Sequence, residues 1–208
     1  MNNLSYQKDY WKNFISSSEK DVLAKDLNVH WNKETQSYFK ATEIPKEYLQ
    51  QITDNGKLKK VLDFGVGLGR NQSYLNSIAE EVHGFDLPEM IEKYKQIQKD
   101  NNLLFNQIQN IHNDYSVVYE CTVFQHMPPQ EVLFSLMSLS YRSKFLISYS
   151  RTYNDFCRDF NNKKGGLNMY HIFASCIDYW DIMYYSDENA SLINSEDHFY
   201  TLLKSKNA

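Results

Sequence analysis

The chain has 208 residues, 42% of them hydrophobic and 23% charged, a length and balance that suit one globular domain with a core of ordinary size. Its formal net charge of -4 and pI of about 5.9 provide no global positive field for a polyanion, which disfavours nucleic acid as a partner. No apolar run approaches the ~18 residues of a membrane span, the N-terminus lacks a signal-peptide core, and Cys121, Cys157 and Cys176 form neither a CxxC pair nor a zinc spacing; a soluble cytoplasmic protein without metal or disulfides is expected.

Residues 1–57 read as an N-terminal helical cap or lid. In "SYQKDYWKNFI", Tyr6, Tyr10 and Phe14 stand four apart on one helical face, with Trp11 beside them. Ser18 and Asp21 have capping-box spacing before "VLAKDL". A third helix opens at Pro45, carries Tyr48, Leu49 and Ile52, and stops at Asn55-Gly56. Such helices either cap a sheet or close over a ligand.

Residues 58–208 alternate strands with helices. "KKVLDFG" (59–65) is a buried strand, 70–81 a helix, "EVHGFD" (81–86) a second strand, and 88–101 a helix opened by Pro88. Further strands are expected in 102–108, 115–124 and 143–150, with a helix over 129–140 started by Pro128-Pro129. This alternation implies a parallel sheet covered on both faces. Runs 179–185 and 198–204 are joined by too few residues for a long crossover helix, so they read as a hairpin.

"VLDFGVGLGR" runs from the first strand into a glycine turn, at the end of the sheet where ligands of open parallel sheets bind. Gly65 and Gly67 allow a sharp turn and close backbone approach to a ligand, and the next helix presents unpaired N–H groups. Asp86, ending the second strand, is placed to accept both hydroxyls of a ribose. A dinucleotide fingerprint needs a third small residue at position 70, where bulk would separate helix from sheet; this chain has Arg70.

The motifs instead resemble those of the class I S-adenosylmethionine-dependent methyltransferases of small-molecule type. Asp63 stands where that family carries an acid before its G-x-G-x-G turn, Gly65, Gly67 and Gly69 match the glycines, Asp86 the ribose-binding acid and Leu87 the apolar residue beside adenine. "VVYECTVFQHMPP" (117–129) resembles the fourth strand and the turn after it. The resemblance implies a Rossmann-like α/β fold: a mostly parallel seven-stranded sheet with an antiparallel last strand, helices on both faces and extra N-terminal helices. It implies S-adenosyl-L-methionine as cofactor, S-adenosyl-L-homocysteine as product, and methyl transfer to an O or N atom of a small acceptor. Cys121, at the end of the fourth strand, joins the implied cofactor-binding set. The family's acid after the third strand is missing; Gln107 or Gln109 offers an amide oxygen in its place, and Ile108 an apolar face for the ring.

Acceptor chemistry is less marked. His126, after the fourth strand, suits a base for a hydroxyl acceptor, or a structural role before Met127-Pro128. Tyr149 and Arg151 close the fifth strand on the same edge, and His171 follows the Gly165-Gly166 hinge. Arg70 is placed to meet a carboxylate, and Tyr6, Tyr10 and Trp11 to wall the pocket. The [DNS]-P-P-[YFW] motif of amino-methylating enzymes is absent, and Glu120 precedes Cys121 where cytosine-attacking enzymes carry Pro, which argues against nucleobase methylation. A non-catalytic partner protein that binds the same cofactor, and an enzyme that degrades it, are the other readings of this pattern.

Overall fold

The computed structural model describes residues 31–32, 37–38, 42–53, 57–98, 100–151, 169–185 and 198–208. Seven short apolar segments pair into one sheet: β1 (Leu58–Phe64), β2 (Ala79–Phe85), β3 (Leu103–Phe105), β4 (Tyr115–Cys121), β5 (Ser143–Arg151), β6 (Trp180–Tyr185) and β7 (His198–Ser205). Their order across the sheet is β3-β2-β1-β4-β5-β7-β6. Strands β1 to β5 run parallel, while β7 is antiparallel to both β5 and β6. The expected parallel sheet with a reversed last strand is therefore present. The tail hairpin is too, with Trp180 opposite Ser205.

Alternation along the strands divides the core into two layers. Leu62, Phe64, Val118, Leu146 and Leu203 face one layer, against Val132, Leu136 and Leu139 of α4 (Pro129–Ser140) and Met169 and Phe173 of α5 (Met169–Ala174). The four- and three-residue steps in α4 make one apolar stripe. Val61, Val117, Tyr119, Ile147 and Leu202 face the other layer, covered by Tyr48 of α1 (Lys46–Ile52) and Leu75 of α2 (Gln72–Ile78). Pro88 at the first position of α3 (Pro88–Ile97) starts that helix as expected.

Several boundaries differ from the sequence expectation. The helix expected over 70–81 ends at Ile78, because Ala79 to Phe85 pair with β1 from Leu58 onward and the sheet's hydrogen bonds outweigh helical periodicity. The third strand contracts to Leu103–Phe105, followed by a 3-10 turn at Ile108–Asn110. The fourth stops at Cys121, since Thr122 adopts φ 63 and the chain turns into a 3-10 segment at Phe124–His126. Within the segment expected to be helical, Trp31–Asn32 pairs antiparallel with Ser37–Tyr38. The first two expected helices, with Tyr6, Tyr10, Trp11 and Ser18, lie outside the described residues. Among the described residues no helix is long and apolar enough to cross a membrane.

Leu136 has no exposed surface, whereas Phe134 on the same helix is 54% exposed. Leu136→Ala is expected to cost about 3 kcal/mol in urea unfolding, and Phe134→Ala less than about 0.5 kcal/mol.

Candidate functional site

Strand order reverses between β1 and β4, so the C-terminal ends of these strands flank a crevice. The glycine turn fills one side of it. Gly65 and Val66 donate their N–H groups to Phe85 O at 2.7 and 3.0 Å, tying the turn to the end of β2. Gly65, Gly67 and Gly69 have φ of 85, 55 and 88, the left-handed region that glycine enters without steric cost. Their surroundings differ. A Cβ on Gly65 would lie 2.1 Å from Val123 Cγ2, so the loop after β4 packs directly on this backbone, whereas among the described residues nothing lies within 4 Å of a Cβ on Gly67. The turn is thus crowded beneath Gly65 and open above Gly67.

Three carboxylates gather around it, each held differently. Asp86 accepts the N–H of Gly67 on Oδ2 at 2.8 Å and that of Leu87 on Oδ1 at 2.7 Å. An ionised carboxylate offers about four acceptor sites, so Asp86 keeps capacity for two further hydroxyl donors. Burial pushes its pKa up to about 6, with the two N–H groups pulling the other way. Asp63 is 1% exposed; Oδ2 accepts Gln72 Nε2–H at 2.7 Å, while Oδ1 has no hydrogen-bond partner among the described residues. Desolvation raises its pKa to about 7, opposed by Gln72 and by the Arg70 guanidinium and reinforced by Asp86 and Glu120. Glu120, fully buried at the end of β4, is by contrast saturated. Oε1 accepts the N–H groups of Val123 and of Phe124, the latter at 3.0 Å, and Oε2 accepts the hydroxyls of Ser148 and of Ser150, the latter at 3.1 Å. It fastens the loop after β4 to β5.

Arg70 spans the crevice. Its Nη2 donates to Cys121 Sγ at 3.0 Å, and the thiol donates to Thr42 Oγ1 at 3.5 Å. Buried among these groups, Cys121 has its pKa raised, chiefly by desolvation. Residues 42–44 are laced down beside it by side chains. Tyr119 donates to Thr42 O at 2.6 Å, Tyr200 to Glu43 O at 2.7 Å, Asn71 Oδ1 accepts Thr42 N–H at 3.2 Å, and Tyr74 Oη accepts Ile44 N–H at 2.9 Å.

The structure thus brings together Asp63, Gly65, Gly67, Gly69, Arg70, Asp86, Leu87 and Cys121. Ile108 is half-buried against the first core layer near the end of β3. Gln107 is exposed, with Oε1 accepting from Gln109 Nε2 at 3.0 Å. His126 sits in the 3-10 segment beyond Glu120, with Nε2 3.1 Å from Gln125 Nε2. Tyr149, opposite Cys121 in the ladder, packs its ring against that of Tyr200, tilted by 44° with centroids 4.7 Å apart. Arg151 ends β5 and His171 lies in α5. Among the described residues no group of His, Cys, Asp or Glu side chains is arranged to hold a metal. Sequence reasoning missed the supports: Gln72, Glu120, Ser148 and Ser150. The only signal for them is polarity at buried positions of otherwise apolar elements.

No family model and no curated protein sequence matches the chain. Solved structures do. The N-methyltransferase NodS from Bradyrhizobium japonicum WM9, in complex with S-adenosyl-L-homocysteine, matches with TM-score 0.58 at 12% identity, over 91% of this chain and 100% of that one. The PH0226 protein from Pyrococcus horikoshii OT3 gives 0.59 at 14% identity, over 92% and 93%. The mitomycin 7-O-methyltransferase MmcR gives 0.57 at 11% identity over 77% of this chain, which spans only 53% of that protein's length. The chain has the class I methyltransferase fold. In a methyltransferase fold the crevice between β1 and β4 lies at the topological switch point, and that is where the three acids and Arg70 converge.

Gly65→Ala is expected to cost about 3 kcal/mol, from left-handed strain plus collision with Val123, and Gly67→Ala about 1 kcal/mol from strain alone, read from urea unfolding. Asp63 sets a pH dependence whose sign follows from its raised pKa. The folded state binds its proton more tightly than the unfolded one, so its contribution to stability is complete below about pH 4 and lost as pH rises to about 7. Asp63→Asn is accordingly expected to flatten the fall in unfolding free energy between pH 5 and pH 8; an unchanged slope would contradict this assignment.

Proposed function

We propose that the protein is an S-adenosyl-L-methionine-dependent methyltransferase acting on an O or N atom of a small molecule. The observation that carries this reading is the charge of the crevice: buried Asp63 with one bare oxygen, and Asp86 with spare acceptor capacity, flank a glycine turn open above Gly67. A dinucleotide would bring a pyrophosphate to the same turn, beside two carboxylates. A ligand with a ribose at one end and positive charge at the other suits both acids.

The residues present fit such a donor. Asp86 would accept the ribose hydroxyls, Leu87 and Ile108 would flank the adenine, and Gln107 would face its amine. Asp63 would meet the α-ammonium group of the amino-acid end, with Arg70 and Cys121 along the wall between them. The chemistry such a donor supplies is an in-line displacement, in which the acceptor's lone pair takes the methyl carbon and the C–S electrons return to sulfur. What remains for the protein is to align the acceptor and exclude water. The loop fastened by Glu120 carries His126, which would take the proton of a hydroxyl acceptor; Tyr149, Arg151 and His171 are the further candidates for the acceptor side. An N-terminal segment with Tyr6, Tyr10 and Trp11 would complete this side as a lid. The acidic net charge supports a small acceptor over nucleic acid, and the free thiols of Cys121 and Cys176 suit a reducing cytoplasm.

S-adenosyl-L-methionine and S-adenosyl-L-homocysteine should each raise the melting temperature. At 100-fold excess over Kd the gain is about 2.7 kcal/mol, several degrees for a chain of this size, and Asp86→Ala should remove most of it. No shift with either at millimolar concentration would overturn the reading. Incubating a cell extract with methyl-labelled donor and the protein should yield one labelled product; consumption of the donor without an acceptor would instead indicate a degrading enzyme.

A further inference from the structure

Asp63 is oriented by a chain of side-chain amides rather than by the glycine turn. Gln72, 3% exposed at the start of α2, donates Nε2–H to Asp63 Oδ2 at 2.7 Å. Its own Oε1 accepts Asn102 Nδ2–H at 2.6 Å, so its amide orientation is fixed from behind. Asn102 is anchored in turn, its N–H donating to Asp100 Oδ1 at 3.2 Å while Tyr94 of α3 donates to Asp100 Oδ2 at 2.5 Å. The chain runs from α3, through the segment before β3 and the first residue of α2, to the end of β1. One carboxyl oxygen is thereby occupied, and the other is left buried and bare.

We propose that Gln72 and Asn102 are positioning residues for cofactor binding, holding Asp63 with Oδ1 bare as a buried anionic contact for the α-ammonium group of the methyl donor, and that donor binding expels the proton from this carboxyl. This rests on the donor proposed above. An uncompensated carboxylate at 1% exposure is costly, so in the protein alone the proton is retained into the neutral range, where Asp63 titrates at about 7. The ammonium brought to Oδ1 favours ionisation: the carboxyl O–H bond breaks with its electron pair left on oxygen, buffer base takes the proton, and the ligand forms no covalent bond. Gln72 favours the ionised form by its hydrogen bond and Arg70 by its charge, while Asp86 and Glu120 oppose it. The Tyr94 and Tyr119 hydroxyls feel the same charge but stay protonated, their pKa values raised chiefly by desolvation.

The test is calorimetric titration with S-adenosyl-L-homocysteine, which carries the ammonium group without the reactive methyl, between pH 6 and 7.5 in buffers of different ionisation enthalpy. Above that range the ligand's own ammonium begins to titrate. For wild type, affinity should be roughly tenfold weaker at pH 6 than at pH 7.5, with release of up to one proton. Asp63→Asn should leave only the smaller dependence due to Asp86. Gln72→Leu, which raises the Asp63 pKa further, should weaken binding by about threefold at pH 7.5 and about tenfold at pH 6 for one added unit. Asn102→Ala, at a half-buried position, should act in the same direction and serves where Gln72→Leu does not fold. An equal loss at both pH values, or wild-type binding that ignores pH, would overturn the positioning role; no binding at any pH would overturn the donor assignment itself.

Discussion

Burying carboxylates at the ends of adjacent parallel strands is costly, and the crevice is organised around how that cost is met. Each acid needs either donors aimed at it or a positive partner, because an unpaired charge in a low-dielectric interior is strongly unfavourable. Glu120 meets the requirement with four hydrogen bonds and becomes a structural clamp. Asp86 is met in part by the backbone of the turn it supports, so the turn and the acid define each other's position. Asp63 is met least. An unfavourable electrostatic environment that only a ligand completes is where stability and function trade against each other.

Arg70 shows the same logic from the cationic side. A guanidinium reaching 3.0 Å from Cys121 Sγ, with its field felt at Asp63, compensates charge across the crevice. The bulk that separates this turn from a dinucleotide fingerprint is therefore directed along the crevice wall, over the end of β4. A lysine there would keep the charge but lose the planar fork and its several donors.

Much of this was legible in the chain. Strand alternation at Val61, Leu62 and Phe64, the run of glycines, and Asp86 closing the second strand are local signals, and local signals survive folding. The parallel run of strands and the terminal hairpin, too, followed from the βαβ pattern and the short tail. The supports were not legible, because each is defined by a partner far away in sequence: Gln72 by Asn102, Glu120 by Ser148 and Ser150, the 42–44 carbonyls by Tyr119 and Tyr200. A tyrosine that laces a backbone carbonyl has the same local pattern as one that packs in a core. The end of α2 was misplaced for a related reason. Ala79 fits a helix as well as a strand, and only its pairing with Leu58 decides.

The lacing of residues 42–44 also orders events during synthesis. Its donors and acceptors sit on α2, β4 and β7, and the bond from Tyr200 to Glu43 spans 157 residues. The peptide that leaves the ribosome early acquires its last anchor only when the reversed strand β7 has been made and inserted beside β5. Until then Tyr200 has no carbonyl to serve, and the stretch before α1 is held by fewer bonds. The attachment of residues 42–44 thus reports that the sheet is complete, a long-range closure of the kind that slows folding.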